Sequence, residues 1–494
     1  MTTQTPLMKT SMTRRLGGAL VAPSLTLPAS ALAEDFVVNS NADPGDGVCD
    51  AAECTLREAI AAANANGESD TITFGLAADD RVILLGGERL SITDDTGDPD
   101  LTIDGDVDGD GTPDITVDAQ GNSGVFGIAG LQSFANVNLE GLAITGGGNV
   151  SVGGGISNDV SRLTVTNSTI SGNSAVLGGG INNFFSMLIV TNSTISGNSA
   201  TTGGGIANPL GGLTVVEGST ISGNSATDGG GIFNDDSRLA VTNSTISGNS
   251  ATFGGGINNG FGTAEIKSTI VANTATTGTN CFNRSDGTIT SLGFNLEGGT
   301  SCGFTGTGDQ QNVAVADVLV TDANGGPLLA DNGGPTQTIA LVDSADNPAL
   351  DAIPLADCTD IGGMPVETDQ RGVDRPQPFP DGNCDIGAFE LMQEAPRPIA
   401  DVIELFDQAV AEGTLVGAGP GGSAAGRLNA LRNMLLTAGA LLEQADVDGA
   451  CTQLQDAANR TDGAFPPPDF AQGPAAPDLF DAITEVQGEL RCFA

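Results

Sequence analysis

Between residues 153 and 275 the apolar and polar positions repeat one pattern five times. Gly-Gly-Gly-Ile opens each copy, at Gly153, Gly178, Gly203, Gly229 and Gly254, at spacings of 25, 25, 26 and 25 residues. A variable turn follows, then variants of L-x-V-T-N-S-T-I-S-G-N-S-A. Self-similarity at that period marks a solenoid or a propeller. Each copy holds short alternating β-rich runs, such as Leu163-Thr164-Val165-Thr166 and Ser168-Thr169-Ile170. No apolar stripe at helical spacing lies between them, so helix-pair repeats and leucine-rich horseshoes fit badly. A propeller blade needs about 40 residues. The shorter period suits one coil of three short strands and three bends, and predicts a mainly β chain wound as a right-handed parallel β-helix.

Five apolar columns are then expected to point inward. They are Ile156/Ile181/Ile206/Ile232/Ile257, Leu163/Leu188/Leu213/Leu239/Ala264, Val165/Val190/Val215/Val241/Ile266, Ile170/Ile195/Ile221/Ile246/Ile270 and Ala175/Ala200/Ala226/Ala251/Ala275. Like residues stack one strand spacing apart, roughly 4.8 Å. Two asparagine columns mark the bends: Asn158, Asn183, Asn208, Asn234 and Asn259, and Asn173, Asn198, Asn224, Asn249 and Asn273. Stacked amides can bond to the copies above and below, and asparagine tolerates the left-handed backbone of a sharp bend. The glycine triplets supply another bend.

Composition narrows the chemistry. The 494 residues carry a formal net charge of −44 and contain no His, Trp or Tyr. A polyanion repels nucleic acid and anionic lipid. The missing histidine excludes a Ser-His-Asp triad, histidine-ligated zinc and a histidine base. Carboxylate, arginine, cysteine or calcium chemistry is left. The eight cysteines fall as neighbours in sequence, Cys49/Cys54, Cys281/Cys302, Cys358/Cys384 and Cys451/Cys492. An even count beside a leader predicts disulfides, and sequential pairing is the simplest of 105 connectivities.

In chain order, residues 1–33 read as a secretion signal: Lys9, Arg14 and Arg15, an apolar run from Leu16 to Leu27, and the small-x-small site Ala31-Leu32-Ala33. No later run approaches a transmembrane segment. Residues 34–70 read as an N-terminal cap. Thr55-Leu56-Arg57-Glu58 forms a capping box, and Leu56, Ala59, Ile60 and Ala63 form the apolar face of a short helix that plugs the solenoid. Residues 71–310 hold the coils, regular over 137–275.

An early turn reads Asp104-Gly105-Asp106-Val107-Asp108-Gly109-Asp110-Gly111-Thr112-Pro113-Asp114. Asp106, Asp108, Asp110 and Asp114 put oxygens at alternate positions, as the first part of a calcium loop does. The bidentate glutamate is missing, with Val117 in its place, and the segment reads equally as a plain acidic turn. The loop is similar to those of type-3 thrombospondin repeats and dockerins.

Cys54-Thr55-Leu56-Arg57-Glu58-Ala59, after Gly45-Asp46-Gly47-Val48-Cys49, resembles the CSLREA module of bacterial secreted proteins. That resemblance implies export and a β-helical body. Residues 311–393 contain Asp331-Asn332-Gly333-Gly334-Pro335-Thr336, Asp369-Gln370-Arg371-Gly372 and Gly382-Asn383-Cys384-Asp385-Ile386-Gly387-Ala388-Phe389-Glu390, and together resemble the choice-of-anchor Q domain. Ile339 departs from it, standing where that family often has histidine. Asp369, Arg371 and Asp385 read as a buried network closing the last coils. The coils themselves are similar to those of polymorphic outer-membrane proteins. After Pro396 and Pro398, residues 394–494 predict a small α-helical tail with runs at 399–411, 427–444, 448–459 and 479–490, broken by Phe465-Pro466-Pro467-Pro468. It is similar to the small helical modules labelled FIMAH.

Three functions follow as expectations. The first is a non-catalytic secreted or cell-surface protein, structural or adhesion-like, whose partner is an extracellular glycan or a surface protein. The second is a polysaccharide lyase or hydrolase, for which Arg162, Arg238 and the doublet Asp235-Asp236 are the available groups. The third is a calcium-dependent binding module.

Overall fold

The computed structural model describes residues 35–66, 68–94, 100–130, 135–273, 279–284, 286–377, 382–392, 399–419, 422–442, 447–463, 469–490 and 492. The leader, Ala275, Pro396, Pro398 and the triple proline lie outside the described residues. The chain is mainly β, a parallel β-solenoid with a short N-terminal helix and a small helical tail. One sheet has ten strands, from Asp35–Val38 to Thr288–Ser291. A second has eight, from Leu90–Asp94 to Cys281–Asn283, and a third has nine, from Val82–Leu84 to Leu296–Glu297.

Stacking begins earlier than the sequence suggests. Asp35–Val38 pairs in parallel with Asp70–Phe74, so the expected cap already contains the first coil. Helix Leu56–Asn66 is an insertion in that coil, with Leu56, Ala59, Ile60 and Ala63 buried. Its capping box is closed: Thr55 N donates to Glu58 at 2.9 Å and Glu58 N donates to Thr55 Oγ1 at 3.3 Å. Glu58 also accepts from Gly47 N, which ties the Cys49–Cys54 loop to the helix. These amide bonds hold the Glu58 carboxyl below its usual range despite its burial. Thr55→Ala is expected to cost about 1–2 kcal/mol, read as a lower midpoint in urea.

The first four Gly-Gly-Gly-Ile copies have four strands each, not three. The additional strands, Ser174–Leu177, Ser199–Thr202, Ser225–Asp228 and Ser250–Phe253, make a fourth sheet on the outside. It half-exposes Ala175, Ala200 and Ala226, and only Ala251 of that column is buried among the described residues. The isoleucine column of Ile156, Ile181, Ile206, Ile232 and Ile257 stacks in register at 0% exposure.

Two other columns are shifted. The 26-residue coil places its extra residue in the corner, where Leu210 and Gly211 are both left-handed (φ 53° and 78°). Strand phase then flips: Leu188 faces Thr214 and Val190 faces Val216, so Leu213 and Val215 point outward. The fifth coil lacks the glycine of Ser-Gly-Asn. Ile246 therefore faces Val271, and Ile270 pairs with Thr245.

Both asparagine ladders form. Asn158 Nδ2 donates to Asn183 Oδ1 at 2.8 Å, and the chain of bonds runs on through Asn208, Asn234 and Asn259 to Asn283. The second runs from Asn173 to Asn273 at 2.9–3.2 Å. Left-handed backbone belongs to other residues, among them Asn167, Asn192 and Asn243. Ladder and bend are thus separate jobs. A third ladder, which sequence reading overlooks, links the amides of Ser168, Ser193 and Ser219 to the next coil's serine hydroxyl.

Residues 311–392 pack on the last coils, where Ile270, Ala272, Phe294 and Leu296 share their apolar cluster, and also reach back over earlier ones. They form a strap along the third sheet, mostly irregular, with one small antiparallel pair at Leu329–Ala330 and Thr338–Ile339. Thr336 Oγ1 reaches Asn192 O, Gln370 Nε2 donates to Thr194 Oγ1 at 2.9 Å, and Ala388 N donates to Thr245 Oγ1 at 3.1 Å. Gly387 N donates to Ser268 O, and the side chain of Ile270 joins the strap's own apolar cluster.

The helical tail has its own core, built on helices Ile399–Glu412, Gly422–Leu442, Val447–Ala458 and Ala476–Glu489. The second of these starts five residues before the expected Arg427. Cys451–Cys492 closes the tail, and with Cys49–Cys54, Cys281–Cys302 and Cys358–Cys384 all four sequential pairs are present.

Candidate functional site

The acidic turn sits between strands Asp100–Asp104 and Ile115–Asp118. Carboxylate oxygens of Asp106, Asp108 and Asp114 lie within 4.8 Å of one another. Asp110 does not join them. Its Oδ1 accepts from Thr112 N at 2.8 Å and Thr112 Oγ1 at 2.7 Å, and these bonds hold its carboxyl below the usual range. Asp106 accepts from Gly109 N, Asp110 N and Gly111 N, and Asp114 from Val107 N and the guanidinium of Arg81. Val117 is a fully buried core residue of the following strand. Calcium takes six to eight oxygens; three carboxylates converge here, and those of Asp106 and Asp114 are already engaged by the turn's own amides and Arg81. The arrangement braces a loop and brings no reactive group to it.

The strap's two arginines each form a buried pair. Arg371 Nη2 stands 2.7 Å from Asp369 Oδ2, and its guanidinium lies 3.5 Å above the Phe389 ring centroid. Asp369 also accepts from Val373 N and Glu390 N. The second pair escapes the sequence reading: Arg375 Nε lies 3.2 Å from Glu390 Oε2, both side chains at 0% exposure. Asp385 is not paired with Arg371. It accepts from Asp351 N and Leu391 N, while its own N–H donates to Glu390.

Burial pushes the Asp385 carboxyl up to about 6 and the Glu390 carboxyl up to about 8, with Arg375 opposing in each case. Two carboxyls driven upward can serve as acids in an open cleft. Here they are 1% and 0% exposed and face the strap interior, where a substrate cannot touch them. Their chemistry is to fasten loops. Gln370, between Asp369 and Arg371, does the same toward the coils and is fully buried.

The groups that a polysaccharide-active site would use are scattered. Arg162 and Arg238 share a column but Met187 and Leu213 lie between them. Asp235 Oδ1 accepts from Phe261 N at 3.0 Å, and Asp236 is the left-handed corner residue (φ 49°), so the doublet shapes a turn. Arg57, from the first coil, pairs with Asp43 and donates to the carbonyls of Glu88 and Arg89, binding the inserted helix to the next coil. No protein-family model, no curated protein and no solved structure matches the chain.

Proposed function

We propose that this chain is a non-catalytic exported or cell-surface rod, a structural or adhesion-like protein of the kind that CSLREA and choice-of-anchor Q motifs accompany. The observation that carries the reading is the set of four disulfides on a solenoid whose asparagine ladders pass through every regular coil. Disulfides persist in oxidising compartments. An uninterrupted ladder holds each coil to the next and leaves its polar atoms to structure. Among the described residues no helix is long and apolar enough to cross a membrane.

Cell fractionation tests the location. The mature chain, its cysteines oxidised, is expected in the envelope or the medium; a cytosolic chain with free thiols would end the reading. The purified protein is expected to leave uronate-rich polymers intact with and without calcium. Depolymerisation that Asp235→Ala abolishes would establish the lyase or hydrolase reading instead.

Calcium is a second reading, favoured by the convergence of Asp106, Asp108 and Asp114. Its expected sign is a higher Tm in calcium than in chelator, lost in Asp108→Asn. Superimposable melts would remove calcium from the account.

A further inference from the structure

Val160, Phe185 and Leu210 occupy the same corner of three successive coils. They are 41%, 50% and 45% exposed, and all three have left-handed backbone, φ 53°, 49° and 53°. That conformation costs an ordinary L-residue about 1–2 kcal/mol. Glycine, asparagine or aspartate relieves it, and the next coil has Asp236 there. Neither the core nor the turn selects a large apolar side chain at this place, so strain and exposure together point outward.

The corner borders the outer face of the ten-stranded sheet. There the phase flip has turned Leu213 and Val215 outward, beside Met187 and Ile189 of the preceding coil. The same two columns read Arg162 and Thr164 one coil earlier, and Arg238 and Ala240 one coil later. An apolar field two coils deep is therefore bounded at each end by an exposed arginine. Among the described residues neither arginine takes part in an ion pair. Three strand spacings separate them, roughly 14 Å.

We infer that this face docks an extended segment of another protein, one that presents an apolar side chain between two carboxylates. Methionine, phenylalanine and arginine are the residues enriched where proteins meet, and the two arginines require anions opposite them. Charge argues against other occupants. A second copy, turned about a two-fold axis along the strands, sets Arg162 against Arg238, with −44 on each chain. Nucleic acid and anionic lipid present many closely spaced charges and meet that net repulsion in full, whereas two carboxylates can each be matched by one of the two arginines. In an extended segment the side chains at i, i+2 and i+4 face one way, and i to i+4 spans about 13 Å. Acid, apolar and acid at those positions meet Arg162, the Met187–Leu213 floor and Arg238. The inference extends the adhesion-like role proposed above, yet it is tested on purified protein, so failure of export and failure of binding are read separately.

The probe is a displayed library of random dodecapeptides, selected on the full disulfide-bonded chain, with the enriched peptides then titrated singly. Enrichment of acid–x–apolar–x–acid is expected. Phe185→Asn suits the left-handed corner and Leu213→Ser lies on the outer face, so both fold; each is expected to weaken binding about tenfold or more. The double reversal Arg162→Glu, Arg238→Glu is expected to lose the acidic peptides and accept versions with lysine at both positions. Peptides without paired acids, or affinities that these variants leave unchanged, would overturn the inference. So would a dimer in sedimentation that Leu213→Ser dissociates, or capture of uronate oligosaccharides by this face without peptide.

Discussion

Gly204→Ala is expected to cost the solenoid at least about 3 kcal/mol, the upper end of overpacking effects. A methyl carbon on Gly204 would stand 2.5 Å from the carbonyl oxygen of Gly230 and 2.6 Å from that of Ser225. Both obstacles are backbone of the next coil, and neither can rotate away as a side chain would. Gly154, Gly179 and Gly230 meet the same pair of carbonyls one coil on, at 2.4–2.7 Å. The triplet thus has three different grounds for glycine. The first, Gly203, has φ +68°; the second approaches the neighbouring coil; the third, Gly205, lies against Gly231 O and the amide of Asn224. Because each coil of a solenoid contacts only its neighbours, the loss falls on one junction. Early proteolytic cleavage near residues 200–230 is therefore expected along with the lower Tm. Gly426→Ala is the control: it sits in the exposed part of helix Gly422–Leu442 with open space around it, and is expected to stabilise the tail by about 0.5–1 kcal/mol.

Sequence and structure agree where a signal recurs in every copy. The Gly-Gly-Gly-Ile period dictates parallel stacking, and the asparagines at fixed offsets dictate ladders, because a repeat of 25 places like beside like. Disagreement begins where the period slips. Leu213-Thr214-Val215-Val216 offers no polar alternation to set its phase, so the 26-residue coil reads equally well either way, and only the corner at Leu210-Gly211 decides it. Lys267-Ser268-Thr269-Ile270-Val271 deceives in the opposite sense: Ser-Thr-Ile looks like the repeat, but a deleted glycine moves it by one. The strap was legible as a motif and not as a place. Its anchors, Thr194, Thr220 and Thr245, look like solvent-facing strand residues, and nothing in a single chain says that Gln370, Thr336 and the Gly387-Ala388 backbone cover them. Of the acidic turn, the convergence of three carboxylates was legible; the detour of Asp110 to Thr112 was not, since an alternating pattern does not say which oxygens the local amides will claim.

Arg375→Met is expected to release the strap from the coils. Methionine fills much of the same volume but leaves the Glu390 and Asp385 carboxyls buried without their cation. Breaking a buried ion pair from one side costs about 3–5 kcal/mol where the carboxyl is ionised, so the loss is expected to be largest at high pH and smaller where Glu390 holds its proton. The effect depends on pH in a definite direction. Burial raises Glu390 from its ordinary 4.5 to about 8, and Asp385 from 3.8 to about 6. A carboxyl raised by folding holds a proton that the unfolded chain gives up. Its contribution is complete below the unfolded value and is lost as pH climbs through the folded one. The intact protein is therefore expected to melt higher at pH 5 than at pH 8.5. Self-repulsion of the net −44 acts the same way. Glu390→Gln separates the two causes: it removes one titration from the strap while leaving the other acidic groups in place, and the decline above pH 5 is expected to shrink. In Arg375→Met the decline is expected to steepen, since the guanidinium that opposed the upward shift is gone. The strap should then come away at neutral pH before the coils melt, exposing the Thr194–Thr245 face as a separate, earlier transition in hydrogen exchange. A single transition with no change in pH dependence would mean that the coils hold the strap without this pair.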